Sequence, residues 1–292
     1  MSRRIAVILN PAAGGGRAPR RFEALRGRLE ALGHVSVLCT HDPGHAAALA
    51  READATDVIS VGGDGTLHEV VTGLMGRDDR PRLGLLPLGT GNSFGRDLDL
   101  TTPDRCLDAI ARGATRAVDV VRAEHDDGVL YSINLFSIGF TAEAGELTNR
   151  RFKGLGAAGY ILAVLITLAR LKHPSFRVRL DGGEWDARPC ALLSFSNSQY
   201  TGGDMRMAPA ADPTDGRVDV IRVGALGRPR FLATFPKIFA GTHVNAPHIE
   251  ATTAQAVELD LASPVDVMID GEVVRVRPTR LEVLPGAVEV LA

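Results

Sequence analysis

The run Val61-Gly62-Gly63-Asp64-Gly65-Thr66 joins a strand-like segment, Asp57-Val58-Ile59-Ser60-Val61, to a helix-like one, Leu67 to Met75. An apolar strand that feeds a glycine loop and then a helix is the building unit of a parallel sheet covered by helices. The glycines let backbone N–H groups approach an anion closely, because no Cβ stands in the way. The start of the next helix adds unpaired donors and a partial positive charge. Asp64 would repel a bare phosphate, so its presence points to a bound metal ion or a proton transfer beside a phosphate chain. Leu67, Val70, Val71 and Leu74 recur at i, i+3, i+4 and i+7, which buries one helix face and leaves His68 and Glu69 near the loop mouth. The bland reading is a tight glycine-rich turn; the central Asp and the Thr66 hydroxyl weigh against it.

The same unit recurs along the first 120 residues or so. Ile5 to Leu9 is a continuous apolar run, as in a strand buried on both faces. The loop from Asn10 to Arg17 and a helix over Pro19 to Leu32 follow it. Val35 to Thr40 reads as a second strand before a helix near Gly44 to Glu52. Leu83 to Pro87 is the strand of the fourth unit, Leu88 to Gly95 its loop, and Thr102 to Arg112 its helix. Ligands of such a doubly wound sheet bind where loops leave the carboxyl ends of the strands.

After Asp119 the pattern changes. Segments 129–136, 176–181, 190–196, 218–223, 256–261, 265–269 and 273–277 read as strands separated by turn signals such as Asp181-Gly182-Gly183 and Asp270-Gly271. Helical segments near Leu155 to Leu171 and Arg228 to Ile238 interrupt them. The expected fold class is therefore α/β plus all-β: a doubly wound parallel-sheet domain over residues 1–124 and an antiparallel β domain over 125–292. The last residues are expected to pack back on the first domain.

Composition removes several function classes. A formal net charge of −2 lacks the basic excess of nucleic-acid binders. Cys39, Cys106 and Cys190 match no metal or redox spacing and are expected to be reduced, buried thiols of a cytoplasmic protein. The apolar run after Arg4 is too short for a signal-peptide core. The stretch Ala157 to Ala169 falls short of the ~20 residues that span a bilayer.

Four further segments carry chemical options. Asn10-Pro11-Ala12-Ala13-Gly14-Gly15-Gly16 follows the first strand as a phosphate loop would, with Arg17 beside it, but lacks the ending of a P-loop. Gly89-Thr90-Gly91-Asn92 places a hydroxyl and an amide between and beside glycines. The closely spaced carboxylates of Asp212 to Asp219 suit a hard cation or a solvated turn, and the turn is the commoner case. Ile269-Asp270-Gly271-Glu272-Val273 reads as an Asp-Gly hairpin.

Taken in order, these motifs resemble the diacylglycerol kinase catalytic domain family, which includes bacterial lipid kinases and sphingosine kinases. Gly62 to Thr66 is similar to its signature, Asn10-Pro11 to its first loop and Gly89 to Asn92 to its third. Ser196-Asn197-Ser198-Gln199-Tyr200-Thr201-Gly202-Gly203, Ala208-Pro209-Ala210 and Asp215-Gly216 are similar to the core of its β-sandwich. The resemblance covers essentially the whole chain. It implies an NAD kinase-like first domain and Mg-ATP-dependent phosphorylation of a lipid hydroxyl in a cleft between the two domains. It assigns ATP contacts to Asn10, Thr40, Gly62, Gly63, Asp64, Gly65, Thr66, Leu67, His68, Glu69, Thr90, Gly91 and Asn92. Asp64 would hold the catalytic Mg²⁺ network. Asp212, Asp215 and the Arg217 carbonyl would bind a structural Mg²⁺. Glu272 would be the proton acceptor, as in bacterial members; sphingosine kinases give that role to the motif Asp. Ser93 and Arg217 depart from the family pattern, where Asp and an apolar residue are usual.

A lipid acceptor needs an apolar place. The helix at 155–171 carries Arg150, Arg151, Lys153, Arg170 and Lys172 on its flanks, which suits either an ordinary core helix or transient contact with an anionic leaflet. The competing readings are a soluble-acceptor kinase of the NAD kinase-like group, which shares the glycine motif, and a non-catalytic nucleotide or lipid binder. A homodimer stays open. The expected location is cytoplasmic, at most peripheral at the inner membrane face.

Overall fold

The computed structural model describes residues 3–152 and 156–292. The chain forms two compact units: Met1–Val120 with Pro213–Asp215 and Leu284–Ala292, and Val121–Asp212 with Gly216–Val283.

The first unit is built on four parallel strands, β1 (Arg4–Leu9), β2 (His34–Cys39), β3 (Asp57–Gly62) and β4 (Arg82–Pro87). Their order is β2-β1-β3-β4, and Val290 of the final strand pairs with Leu83 beyond β4. Every residue of β3 is buried, which explains its apolar run: a strand covered on both faces needs no alternation. Helices Ala18–Glu30 and Pro103–Arg112 bury Phe22, Leu29, Cys106, Leu107 and Ile110. Helices His45–Glu52 and Asp64–Met75 bury Ala46, Ala50, Val70, Val71 and Leu74. At the opposite end of the sheet from the glycine loops, buried Asp57 is paired with Arg3 and with Arg82 at 2.6 Å.

The second unit is antiparallel. Its six-stranded sheet runs Ile249–Ala254, Val218–Gly224, Cys190–Ser196, Leu135–Gly139, Val265–Ile269, Glu272–Val276. One core joins Phe136, Ile138, Phe195, Val220 and Val267 to Val178, Val257 and Leu281 from strands Arg177–Leu180, Ala256–Asp260 and Pro278–Leu291. That is sheet packed on sheet, with side chains of two faces interdigitating. A second core puts Leu192, Ile221 and Val223 against Phe140, Val164, Leu168 and Phe231. The latter come from helices Phe140–Leu147, Gly156–Ala169 and Arg228–Thr234.

Several expectations change. The apolar run 129–136 is not one strand: it breaks into Gly128–Ser132 and Leu135–Gly139, with Ile133 and Asn134 as a corner. Strands Thr115–His125, Ile249–Ala254 and Pro278–Leu291 and helix Phe140–Leu147 are additional. Cys39 is exposed rather than buried, because β2 lies at the sheet edge. Cys106 and Cys190 are buried, and burial pushes their thiols up to about 12 and about 11. Of the apolar helix and its basic flank, Leu155 and Lys153 lie outside the described residues. Among the described residues no helix is long and apolar enough to cross a membrane.

Candidate active site

The loops after β1, β3 and β4 meet at the carboxyl edge of the first unit's sheet, and named contacts join them. Asn10 Nδ2 donates to Thr66 Oγ1 at 3.0 Å, while its Oδ1 accepts from the Ala12 N–H at 3.0 Å. The Gly89 N–H donates to the Gly62 carbonyl at 2.8 Å. A Cβ at Gly89 would stand 2.4 Å from Gly63 Cα, and one at Gly14 would stand 2.6 Å from the Leu88 carbonyl oxygen. These loops pack backbone on backbone, which only glycine permits. Arg17 does not reach outward: its Nε closes its own loop on the Gly14 carbonyl at 2.8 Å.

The helix starts at Asp64 itself rather than at Leu67. Asp64 therefore sits in the first turn, where a carboxylate is favoured by the helix dipole. Its Oδ1 accepts from the Ser93 N–H at 2.7 Å, and its Oδ2 accepts from Ser93 Oγ at 3.3 Å. Ser93 is fully buried. The residue that departs from the family pattern thus supports Asp64 with a neutral hydroxyl. Asn92 has a φ of 52°, a left-handed conformation that Asn tolerates better than most residues. Its Nδ2 donates to the Gly89 carbonyl at 2.9 Å, and its buried Oδ1 has no partner among the described residues. Gly62, Gly63, Asp64 and Asn92 line a recess of about 290 Å³ with Ser60, Leu67 and Leu100.

The other expected ATP contacts divide. Gly65 is half-buried, Thr90 is exposed, and Gly91 and His68 are half-buried. Thr66 is 5% exposed, and its hydroxyl takes the Asn10 hydrogen bond. Leu67 is buried in the core. Glu69 Oε2 accepts from the Ala46 N–H at 3.0 Å, so this carboxylate caps the neighbouring helix His45–Glu52. Thr40 is buried at the end of β2, its N–H bonded to the Leu9 carbonyl at 2.9 Å.

Asp212 and Asp215 are exposed on one loop. The guanidinium of Arg217 is held by Thr253 Oγ1 at 2.8 Å and Asp181 Oδ2 at 3.3 Å, which leaves only a main-chain oxygen of this residue as a metal donor. Among the described residues no group of three or more His, Cys, Asp or Glu is arranged to hold a metal ion. Two carboxylates and a carbonyl, with Asp64 elsewhere, are nonetheless the hard oxygen donors that Mg²⁺ takes. Asp64 fits that demand: a carboxylate offers about four lone-pair sites, and the bonds from Ser93 orient it.

In the second unit, Asp270 and Gly271 take φ of 48° and 97°, the twist of a two-residue hairpin turn. Asp270, only 3% exposed, is a structural acceptor. Its Oδ1 takes Ser132 Oγ at 2.6 Å and the Asn134 and Leu135 N–H groups at 2.9 Å, and its Oδ2 takes the Ile133 N–H at 3.0 Å. Glu272 follows on the exposed side of that turn. Sequence reading finds the hairpin and misses the buried anchor, since an Asp-Gly turn usually places its Asp in water.

The second unit also holds a recess of about 700 Å³ under its helices. Phe140, Leu192, Met205, Leu226, Phe231 and Ile238 are among its largely apolar lining. His243 lies in its wall, donating Nε2–H to the Met207 carbonyl at 3.1 Å. Burial pushes this imidazole below its ordinary range, toward the neutral form.

Residues 4–123 match the diacylglycerol kinase catalytic domain family, and residues 134–292 match the YegS C-terminal NAD kinase beta sandwich-like domain. A Mycobacterium tuberculosis protein named diacylglycerol kinase is 31% identical, covering 99% of this chain and 94% of that one. A Bacillus subtilis protein of the same name is 28% identical over 92% of this chain and 90% of that one. A crystal structure of a Bacillus anthracis diacylglycerol kinase superposes with a TM-score of 0.75 at 21% identity, covering 99% of this chain and 97% of that one, a likeness of fold.

Proposed function

We infer that this chain, which belongs to the diacylglycerol kinase catalytic domain family, transfers the γ-phosphoryl group of ATP to a lipid hydroxyl. The kinase chemistry follows from the family. The lipid acceptor is our reading, supported by the names of the relatives and by a recess in the second unit that offers hydrocarbon a place. The observation that carries the reaction class is the meeting of three glycine loops around the Gly62–Thr66 run, with Asp64 held by Ser93. Phosphoryl transfer asks for positioning and charge neutralisation more than for covalent work. Main-chain N–H groups of Gly62 to Thr66 and the Thr90 loop would cradle phosphate, with the helix start behind them.

Asp64 is proposed to hold catalytic Mg²⁺, and Asp212, Asp215 and the Arg217 carbonyl a structural Mg²⁺. Bound Mg²⁺ supplies charge neutralisation to the phosphate oxygens. Asn10 and Ser93 position the loop and its carboxylate. Glu272 is proposed to accept the proton of the attacking hydroxyl.

Glu272→Gln is expected to lower kcat by about a hundredfold or more, the scale of general base catalysis, while leaving the dissociation constant for ATP unchanged. Steady-state kinetics beside nucleotide titration test this. Near-normal turnover in the variant would take Glu272 out of the base role.

A further inference from the structure

The apolar recess of the second unit does not end in apolar surface. Thr234 and His248 line it and also line a second groove of about 830 Å³. The two side chains are bonded to each other, Thr234 Oγ1 to His248 Nε2 at 3.2 Å, so they form the sill between the cavities. Beyond them the groove carries two cations, Arg230 and Lys237, with Thr242 and Asn245 beside Ala246 and Pro247. Helix Arg228–Thr234 and the 3₁₀ turn Phe235–Ile238 bring Arg230, Thr234 and Lys237 to one side at i, i+4 and i+7. Arg230 and Lys237 are exposed, and neither forms an ion pair with a described residue. Exposed cations in a groove that adjoins an apolar recess suit the phosphate of an anionic lipid.

We propose that this pair of cavities binds one anionic phospholipid drawn from a bilayer, its acyl chain in the apolar recess and its phosphate on Arg230 and Lys237. The ligand class follows from the chemistry of the two ends. Hydrocarbon is favoured in the recess because it leaves water. Arg and Lys bind phosphate, Arg through a planar fork and Lys as a point charge. The inference deepens the lipid reading above and rests on it only in that the recess takes hydrocarbon. It requires no nucleotide, so its failure leaves the kinase reading standing, and loss of kinase activity would not touch it.

The test is sedimentation of the full chain with vesicles, without ATP. Phosphatidylcholine vesicles are compared with vesicles that also contain phosphatidylglycerol, for the wild type and an Arg230→Gln/Lys237→Gln variant. Each cation near the membrane surface contributes about fivefold in partitioning, so the double variant is expected to bind the anionic vesicles about twenty-five-fold more weakly. Both changes are on the surface and should leave the circular dichroism spectrum unchanged. After removal of the vesicles, mass spectrometry should find phospholipid retained by the wild type. Equal binding to neutral vesicles, or unaltered binding by the double variant, would overturn the proposal. So would displacement by free glycerol phosphate at matching headgroup concentration, which would mark a soluble phosphate site. Vesicle binding without retained lipid would also overturn it, by reducing the site to surface contact.

Discussion

Asp64→Asn should lower turnover by about a thousandfold, the scale seen when a preorganised charge partner of a phosphoryl or acyl transfer is removed. Asn is nearly isosteric with Asp. Its Oδ1 can still accept from the Ser93 N–H, and its Nδ2 can donate to Ser93 Oγ, which now stand at 2.7 and 3.3 Å from the carboxylate. The loop contacts from Asn10 and Gly89 involve other atoms and should persist. The variant therefore removes charge while sparing the fold, and its thermal midpoint should stay close to that of the wild type. Initial rates at saturating ATP, repeated across a Mg²⁺ titration, measure the effect. Recovery of a substantial rate at high Mg²⁺ would show that Asp64 only raises metal affinity.

The largest effect on stability should come from Asp270→Ala. One buried carboxylate here satisfies three main-chain N–H groups and one hydroxyl at the corner 132–135. Truncation leaves those donors buried and unpaired, and each unsatisfied donor costs about 1 to 3 kcal/mol. The sum reaches about 3 to 5 kcal/mol after relaxation, the cost of breaking a buried charged network. A unit of this size would then lose roughly 10 °C in its melting temperature. Asp270→Asn should cost less, because one oxygen remains to accept from Asn134, Leu135 and Ser132 while the amide faces the Ile133 N–H. Differential scanning calorimetry of the two variants measures both. Equal small losses would mean that the corner is held by strand pairing instead. Because Asp270 also fixes the turn that carries Glu272, reduced turnover should accompany its loss of stability.

The parallel half of this protein was readable because burial on both faces leaves a plain signature. Ile5 to Leu9 and Val58 to Val61 are buried throughout, so their apolar runs could be nothing else once helix-like segments followed them. The glycine loops were readable for a similar local reason: Gly62, Gly63 and Asp64 act through their own backbone and position. The antiparallel half hid more. The break at Ile133 and Asn134 is imposed by Asp270, which lies 135 to 138 residues away, and no local pattern announces it. Strand Pro278–Leu291 contains Pro285 and Gly286, ordinarily breakers. It survives there because Gly286 turns to a φ of 58° and its N–H is taken by Asp119 Oδ1 at 2.7 Å. Helix Phe140–Leu147 has small residues and a weak stripe, and it gains its stability by lying on the sheet. At the site, Glu69 looks like a ligand from its place after the motif. Its use as a cap appears only when helix His45–Glu52 is seen beside it.

The central claim is that the glycine loops serve transfer of phosphate to a lipid, and one assay addresses it directly. Purified protein is incubated with γ-labelled ATP and Mg²⁺ beside detergent-dispersed diacylglycerol, phosphatidylglycerol or a long-chain base, with NAD as the soluble competitor. The account predicts label in the organic phase with at least one lipid, dependent on Mg²⁺ and on Asp64, and none on NAD. Label transferred to NAD alone, or to no acceptor while ATP binds, would contradict it.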